Sequence, residues 1–317
     1  MKTASPVAVP VKEKLCRRER IARELSRNKY LYMIAVPVVA YYALFCYLPM
    51  FGIIVSFKQY EIAKGIWGSK WVGLKNFKDF FSGIYFIRTL KNTLFISIGE
   101  LIFGFPMPII FALMLNELRG LRYKKFVQTT TYLPHFISMV VICGMVVDFF
   151  STDGIASILI SHLGGANMNY IGQPEYFRSI FIGSGIWQGV GWGSIIYLAA
   201  LTGIDSQLYE AARIDGAKRM RQLWHITLPG IAPTIITLLI LRMGQVMSVG
   251  YEKIILLYST NTLEVADVIS SYVYRSGIEG ARYGYSAAVG MFQSIVNITL
   301  VFSANALSKK FSETSLF

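Results

Sequence analysis

The stretch that decides the fold is EAARIDGAKRMRQLWHITLP, residues 210–229, which is polar and lies between two long apolar runs. Asp205 or Ser206 can cap a helix at its start, and Gly216 permits a backbone reversal that other residues resist. We therefore predict a hairpin outside the bilayer, in which one helix turns at Gly216 into a second, basic helix. Pro229, which lacks a backbone N–H, is then expected to start the next membrane span. A compact charged hairpin of this kind is shaped to dock on a soluble partner.

The rest of the chain has the composition of a membrane protein. Of its 317 residues, 54% are hydrophobic and only 15% are charged, whereas about a quarter are charged in soluble domains. Six apolar runs reach the length of about 20 residues that a spanning helix needs. They are residues 30–55, 93–115, 126–150, 180–201, 231–249 and 285–307. The sequence therefore predicts an all-α membrane protein with six transmembrane helices.

Basic residues flank these runs mainly on one side of the predicted membrane. They are concentrated in the N-terminal segment 1–29, in the loops after the second and fourth runs, and in the tail 309–317. The positive-inside rule makes that side, and hence both termini, cytoplasmic. The first outer loop, within residues 30–91, is also basic, which weakens the rule locally. Segment 1–29 either only sets this orientation or also lies on the anionic inner leaflet.

The same sequence argues against several classes of function. The net charge of +13 lies in short flanks rather than in a continuous stripe, so we predict no nucleic-acid binding. His135, His162 and His225 are dispersed, and the three cysteines have no ligand-like or disulfide-like spacing. We therefore expect no metal site, no catalytic residue and no enzyme activity. Because no G-x-x-x-x-G-K-[ST] phosphate loop occurs, nucleotide must be bound by a partner.

Fixed positions in the hairpin resemble the EAA loop of the permease subunits of binding-protein-dependent ABC importers. The family pattern is Glu-Ala-Ala, three residues, Gly, nine residues, Ile, any residue and Leu-Pro. The positions that match are Glu210, Ala211, Ala212, Gly216, Ile226, Leu228 and Pro229. Asp215, before the glycine, also matches the sugar-type subgroup. Alternation of charged and apolar residues alone would be typical of an ordinary connecting loop, but the match at so many fixed positions favours the motif.

The resemblance extends over residues 92–307, to the carbohydrate importers. Residues 186–205, 250–260 and 311–317 look most like the branch that imports oligosaccharides from complex polysaccharides such as pectin or alginate. The resemblance implies the ABC type I importer permease fold, with residues 92–308 as the core permease domain. Residues 205–229 would form its cytoplasmic coupling loop, and residues 30–91 the first transmembrane helix with its outer loop.

The resemblance also implies partners. By it, Glu210 makes polar contacts to a cytoplasmic ATPase subunit, Ala211 and Ala212 fit the surface of that subunit, and Gly216 sets the turn. The full importer would contain a second, homologous permease subunit (a heterodimer), two ATPase subunits that bind ATP and Mg, and an extracellular solute-binding protein. This chain itself would hold no cofactor and would lie in the bacterial inner membrane as a multi-pass protein.

Two charges fall inside predicted spans at the same depth. At about 1.5 Å per residue, Arg242 lies about 20 Å above the inner boundary and Glu100 about 10 Å below the outer one, in a core of about 30 Å. A buried charge is costly unless it is paired or hydrated. We therefore expect either an intramembrane ion pair between Glu100 and Arg242, or an Arg242 that meets hydroxyls or carboxylates of the substrate.

The fourth predicted span carries glycine at every fourth residue, Gly185, Gly189 and Gly193. Small residues at this spacing favour close packing of helices over a role in sugar recognition. Trp187 and Gln188 flank the glycines and are candidates for the substrate path, because aromatic faces stack on sugar rings. The alternative for the aromatic side chain is a packing or interface role.

The stretch 263–275 places apolar residues on one helical face, opposite Asp267, Ser270 and Ser271. It predicts a short amphipathic helix that lines the substrate path or caps the bundle at the outer mouth. Two other functions compete with this one: an ABC importer permease for a non-sugar solute, a peptide or osmolyte, and a self-contained secondary carrier. A carrier would show internal repeats with broken helices, and no clear repeat is found.

Overall fold

The computed structural model describes residues 27–118 and 120–311, and the chain divides into two compact units, Met1–Ile54 and Val55–Phe317. The predicted basic segment 1–29 therefore lies outside the described residues except for positions 27–29. The same holds for the tail 309–317 beyond position 311.

The first unit is built around one apolar helical stretch. Helix α1, Lys29–Tyr41, continues through a π-turn, Tyr42–Tyr47, into the short helix α2, Leu48–Met50. A 3₁₀ helix, Phe51–Phe57, completes the stretch, and the boundary between the two units falls within it, after Ile54. None of the residues of α1 is buried, and Lys29–Phe57 is long and apolar enough to cross a membrane.

After the end of that 3₁₀ helix, the second unit forms a small β-hairpin with a short helix beside it. Strands β1, Lys58–Gln59, and β2, Lys70–Trp71, pair antiparallel, with Lys58 opposite Trp71. A 3₁₀ turn, Ile62–Lys64, and helix α3, Gly65–Gly68, connect them, and helix α4, Lys75–Phe81, follows. Asn76 on α4 donates hydrogen bonds to the carbonyls of Ser56 and Lys58 at 2.8 and 3.1 Å, which fastens the hairpin to the helix.

The remaining α-helices, in chain order, are α5 (Ile84–Gly99), α6 (Pro106–Glu117), α7 (Leu121–Tyr132), α8 (Met139–Phe150), α9 (Ile155–His162), α10 (Pro174–Thr202), α11 (Ser206–Ile214), α12 (Arg219–Gln222), α13 (Leu228–Met243), α14 (Tyr251–Leu257), α15 (Leu263–Ala266), α16 (Ile269–Tyr274) and α17 (Tyr283–Phe311). The π-turns Glu100–Gly104, Leu223–Thr227 and Arg275–Glu279 and a 3₁₀ turn, Leu133–Phe136, lie between some of them.

Within residues 27–118 and 120–311, five helical stretches are long and apolar enough to cross a membrane: Lys29–Phe57, Ile84–Glu117, Met139–His162, Arg219–Met243 and Tyr283–Lys310. The predicted run 180–201 lies in α10, which is not one of the five. Helix α10 is nevertheless unbroken over 29 residues. At 1.5 Å per residue its length of about 44 Å exceeds a hydrocarbon core of about 30 Å.

The predicted run 126–150 is wrong as a single helix. Helix α7 gives way to the 3₁₀ turn Leu133–Phe136, and α8 begins only after Ser138, whose hydroxyl accepts a backbone N–H at 3.4 Å. Pro134 explains the break, because proline cannot donate the helical hydrogen bond and its ring clashes with the preceding turn. The candidate span here is instead Met139–His162.

Helix α10 is the centre of the second unit, where it packs against α6, α7 and α13. Its fully buried Phe177 and Phe181 join Ile96 of α5 and Ile254 of α14 in one apolar cluster. A second cluster brings α4, α16 and α17 together around Phe80. Helices α6, α7 and α13 are thus fixed by packing around α10, whereas α17 packs against α13, α16 and α4.

The predicted amphipathic helix over 263–275 is also wrong. Helices α15 and α16 are separated by Asp267 and Val268, whose backbones are extended. Asp267 does not lie on a polar outer face: it is completely buried, and its carboxylate accepts hydrogen bonds from Arg275 and Ser271. A buried carboxylate must be paired, and this pairing turns the chain inward where periodicity alone predicts a continuous helix.

Candidate functional site

The polar stretch 205–229 forms a helical hairpin. Its first arm is α11, capped by Asp205, whose carboxylate accepts the backbone N–H of Gln207 at 2.9 Å. Gly216 makes the turn with a φ of +76°, in the left-handed region that favours glycine. The N–H groups of Gly216 and the next residue donate to carbonyls in the last turns of α11 at 3.0 and 2.8 Å, which closes the helix as a Schellman motif.

The second arm is continuous with a membrane span. Helix α12, the π-turn Leu223–Thr227 and α13 form one helical stretch, Arg219–Met243. The prediction that Pro229 starts the span is therefore wrong. In the π-turn, the N–H of Leu228 donates to the carbonyl of Leu223, five residues back, and the helix thereby carries Pro229 in its next turn without a break.

The matched positions of the hairpin face outward to different degrees. Exposed positions are Glu210, Ala211, Asp215, Gly216 and Pro229, and half-buried ones are Ala212, Ile226 and Leu228. Three large apolar side chains on the hairpin are also exposed, Ile214 by 87%, Met220 by 65% and Trp224 by 62%. Apolar side chains exposed on an otherwise charged hairpin are typical of a docking surface.

The hairpin is tied to the end of another helix. Arg219 lies 3.5 Å from the carboxylate of Glu117, at the end of α6, and the hydroxyls of Tyr209 and Thr227 lie 3.0 Å apart across the two arms. A cavity of about 630 Å³ lies between the hairpin and this end of α6. Because both side chains of the ion pair are well exposed, the pair contributes only about 0–1 kcal/mol and orients the hairpin weakly.

An apolar cavity of about 410 Å³ lies deeper in the bundle, between α6, α10 and α13. Arg242 and Glu100 both line it, and the guanidinium donates to the carboxylate at 2.5 Å. Their side chains remain 39% and 25% exposed. Arg242 is thus paired with Glu100 and in contact with the cavity at the same time, so the two interpretations offered by the sequence do not exclude each other.

Local backbone geometry positions Glu100. It begins the π-turn Glu100–Gly104, in which the N–H of Phe105 donates to the Glu100 carbonyl at 2.9 Å. Pro106 follows, and its missing N–H is accommodated by the wider turn. Single π-turns inside helices are frequent at functional sites.

The glycines of α10 divide between packing and the cavity. A Cβ on Gly191 would collide with the carbonyl of Thr131, and one on Gly193 would meet Pro108 at 3.1 Å. Gly189 has nothing within 4 Å of such a Cβ and lines the cavity. Packing therefore depends on Gly191 and Gly193, whereas Gly189 leaves space beside the ion pair.

Trp187 and Gln188 lie on α10 but outside the lining of this cavity. Trp187 is 44% exposed, and Gln188 is half-buried. Their place in a substrate path stays a prediction.

Lys253 is a residue that reasoning from the sequence missed. Its ammonium is buried on α14, donates to the carbonyl of Phe181 at 2.7 Å and lies 4.5 Å from the centre of the Phe181 ring. Burial lowers the pKa of Lys253 to about 8, although Glu100 and Cys143 act in the opposite direction. The sequence does contain a sign of this buried cation, because Lys253 is followed directly by four apolar residues, 254–257. A Cβ on Gly185 would meet this ammonium at 3.1 Å, so the cation lies behind the cavity wall.

No group of three or more His, Cys, Asp or Glu side chains that could hold a metal ion occurs within the part of the chain that the structure describes. The polar groups at the cavity can bind and orient a solute through charge and hydrogen bonds.

Residues 104–313 match the family of binding-protein-dependent transport system inner membrane components. This match covers more than half of the chain and contains both the hairpin and the helices α10 and α13 that line the cavity. The chain belongs to this family. An inner membrane component of this kind is a transport subunit, so the hairpin and the cavity are to be understood as parts of a transporter.

Known relatives of this inner membrane component resemble it over nearly the whole chain. Protein LplB of Bacillus subtilis (strain 168) is 44% identical over 294 residues, which cover 92% of each chain. The polygalacturonan/rhamnogalacturonan transport system permease protein YteP of the same strain is 44% identical over 321 residues, which cover 100% of each.

Two solved structures have the same fold as this inner membrane component. One is the crystal structure of a bacterial ABC transporter involved in the import of the acidic polysaccharide alginate, with a TM-score of 0.85 and 44% identity, covering 92% of this chain and 99% of that one. The other is a bacterial alginate ABC transporter in complex with an alginate pentasaccharide-bound periplasmic protein, with a TM-score of 0.86 and 43% identity, covering 94% and 100%.

Proposed function

We propose that the protein is the permease subunit of an ABC importer for oligosaccharides, with uronate-containing oligosaccharides as its cargo class. The observation that carries this proposal is the 44% identity, over the full length of both chains, to a polygalacturonan/rhamnogalacturonan transport system permease. The likeness to a chain of an alginate importer supports the same class. Galacturonan and alginate share carboxylate groups on their sugar rings, and this common chemistry is what we assign to the cargo.

The charges near the cavity support an acidic cargo. Glu100 and Arg242 neutralise each other, and Lys253 adds one cation behind the wall at Gly185. In a bundle of low dielectric this excess charge favours a carboxylate over a neutral hydroxyl. Gly189 provides space for a sugar ring beside the ion pair, because no atom lies near its missing side chain.

The transport cycle we propose is alternating access without covalent chemistry. Helix α10 is the sixth span, both termini are cytoplasmic, and the protein lies in the bacterial inner membrane. A second, homologous permease completes the channel, two ATPase subunits bind ATP and Mg, and an extracellular binding protein delivers the oligosaccharide. The hairpin, with Glu210 exposed on its first arm and Gly216 at the turn, docks on an ATPase subunit and transmits its closure to the spans.

The experiment is ATPase activity of the complete importer in lipid, with its binding protein and a panel of uronate oligosaccharides, neutral oligosaccharides, peptides and osmolytes. Wild type is compared with Gly216→Glu and with the control Gly164→Glu, which places the same side chain at another exposed glycine of positive φ, +90°, far along the chain from the hairpin. Both variants bear similar backbone strain, about 1–2 kcal/mol.

We expect stimulation by uronate oligosaccharides that is lost in Gly216→Glu and retained in Gly164→Glu, with both complexes assembled. Stimulation by peptides or osmolytes alone would replace the saccharide cargo. Equal loss of stimulation in the two variants would contradict the coupling role of the hairpin.

A further inference from the structure

A further cavity, of about 380 Å³, lies beside the first turn of α5 and contains mostly cationic and aromatic groups. Its lining consists of Tyr85, Arg88, Leu263, Tyr272, Arg275, Ser276 and Arg282. Its volume falls within the range of about 300–1,000 Å³ that is usual for small-molecule sites. Three arginine side chains in one small cavity repel one another unless negative charges neutralise them.

The protein itself neutralises these three positive charges only in part. The buried carboxylate of Asp267 accepts from Arg275 at 2.6 Å and faces Arg88 at 3.5 Å. Its second oxygen accepts the hydroxyl of Ser271 at 2.8 Å. One carboxylate therefore serves two guanidinium groups, and the buried Nε of Arg88 has no hydrogen-bond partner. Arg282 adds a third positive charge, so the lining carries an excess of about two charges in a partly desolvated cavity.

Arg282 is the guanidinium best placed to meet a ligand. It is exposed, and among residues 27–118 and 120–311 no salt bridge to it is formed. Its guanidinium stacks 4.2 Å from the centre of the Tyr285 ring, which fixes its position without using its N–H donors. Arg282 also lines an adjoining cavity that contains Glu61 and Asp79, but neither carboxylate is bound to it.

Aromatic rings complete the cavity. Tyr85 and Tyr272 lie 5.6 Å apart with their planes tilted by 35°, and the guanidinium of Arg88 lies 4.9 Å above the Tyr85 ring. Ring faces offer an apolar surface to the C–H groups of a sugar ring, which a bare inorganic anion could not use. Arginine forks match a carboxylate with two parallel hydrogen bonds. The lining therefore suits a ring that carries a carboxylate.

The position of this cavity is opposite the coupling hairpin. The single helical stretch Ile84–Glu117 begins beside the cavity with Tyr85 and Arg88, and it ends at Glu117, which contacts Arg219 on the hairpin. From Arg88 to Glu117 the stretch is about 44 Å long, which exceeds a hydrocarbon core of about 30 Å. A hairpin on the ATPase side places the arginine cavity on the side where the substrate arrives.

We propose that this arginine cavity is an outer binding site for the uronate carboxylate of the incoming oligosaccharide. It would be occupied before the sugar reaches the inner cavity, which is the apolar cavity lined by Glu100 and Arg242. The proposal rests on the proposed function, of which it names a separate part. Arg282 and Arg88 bind the carboxylate, and Tyr85 and Tyr272 contact the ring. Arg275 is held by Asp267 and keeps the cavity open from behind.

The test uses the complete importer in lipid vesicles with its binding protein. Uptake of a uronate oligosaccharide is compared with uptake of its carboxyl-reduced, neutral counterpart in wild type, Arg282→Gln and Arg282→Lys. The matched control is Lys78→Gln, which removes an exposed cation of α4 that does not line the cavity. Thermal unfolding of each complex excludes loss of folding as the cause of a change.

We expect Arg282→Gln to lower kcat/KM for uronate uptake about fivefold to tenfold, the factor of a partly hydrated charged hydrogen bond. Uptake of the neutral sugar should fall less than twofold. Arg282→Lys keeps the positive charge but loses the paired N–H donors of the guanidinium. Its kcat/KM for uronate uptake should therefore lie between those of wild type and Arg282→Gln. Lys78→Gln should match wild type.

Four outcomes would overturn the inference. Equal loss of acidic and neutral uptake in Arg282→Gln would show that Arg282 has only a structural role. Weaker docking of the binding protein, with and without sugar bound, would assign the arginines to acidic side chains of that partner. If wild type carries uronate oligosaccharides and Arg282→Gln carries them equally well, the arginine cavity is not a binding site, and the proposed function stands. If wild type carries only neutral sugars, both the acidic cargo and the arginine site are refuted.

Discussion

Breaking the ion pair between Glu100 and Arg242 tests how the inner cavity is built. Removing one partner of a fully buried pair costs about 3–5 kcal/mol, whereas a fully exposed pair contributes about 0–1 kcal/mol. The side chain of Arg242 is 39% exposed and that of Glu100 is 25% exposed, so the pair lies between these limits. We expect Arg242→Met or Glu100→Gln alone to lower the free energy of unfolding by about 2 kcal/mol.

The double variant with both substitutions removes both charges and leaves neither carboxylate nor guanidinium unpaired. It should be no less stable than either single variant, which corresponds to a coupling of about 2 kcal/mol. The assay is a double-mutant cycle on the free energy of unfolding of the purified complex in mixed detergent micelles. Additivity of the two single effects within about 0.5 kcal/mol would refute the pair. A stable Arg242→Met complex that loses only uptake of acidic sugars would instead assign Arg242 to the substrate.

Three further predictions concern α10 and its neighbour. Gly189→Leu should fill the cavity and abolish uptake while the complex still assembles, whereas Gly183→Leu, at an exposed glycine with equal space, should leave uptake near wild type in the same assay. Gly191→Ala should lower the unfolding temperature, because its Cβ would run into the carbonyl of Thr131; an unchanged midpoint would contradict this packing. Lys253→Met should change stability in a pH-dependent way, because the pKa of Lys253 is about 8 in the folded protein and 10.5 in the unfolded chain. Burying the charged lysine therefore lowers the free energy of unfolding below pH 8, and this loss disappears as the pH rises towards 10.5. The variant should therefore be more stable than wild type at pH 7, with a difference in unfolding temperature that narrows by pH 10.

The helical hairpin shows which structural features local sequence can predict. Gly216 at a φ of +76° and Asp205 at the helix start are local solutions to backbone hydrogen bonding, so residue type alone points to them. Counting residues along each predicted span also succeeds, because the rise per residue of a helix is fixed. The count predicts Glu100 and Arg242 at the same depth in the membrane, and in the structure the Arg242 guanidinium donates to the Glu100 carboxylate at 2.5 Å. The coupling role of the hairpin comes from the family resemblance, not from this geometry, and it stays a prediction.

The errors arise where local and distant forces compete. Apolar content predicts one helix over 126–150, but Pro134 breaks it. Periodicity predicts one helix over 263–275, but Asp267 turns inward to Arg88, which lies far away in the sequence. Lys253 and the arginine cavity escape sequence reasoning for the same reason, since their partners meet only after the helices have packed.

The unbroken helix from Arg219 to Met243 has a mechanical consequence. Its first turns belong to the hairpin and its last turn carries Arg242 at the cavity, about 35 Å away at 1.5 Å per residue. A rod of this length that tilts by about 10° about its hairpin end displaces its far end by about 6 Å. A hinge between the two would absorb such a tilt, but the helix continues through this region: at the π-turn the N–H of Leu228 donates to the Leu223 carbonyl, although Pro229 and Pro233 donate no backbone hydrogen bond. In the transport cycle proposed above, the helix would therefore act as a lever, and we expect a displacement of the hairpin to reach the wall beside Glu100 as a movement of ångströms.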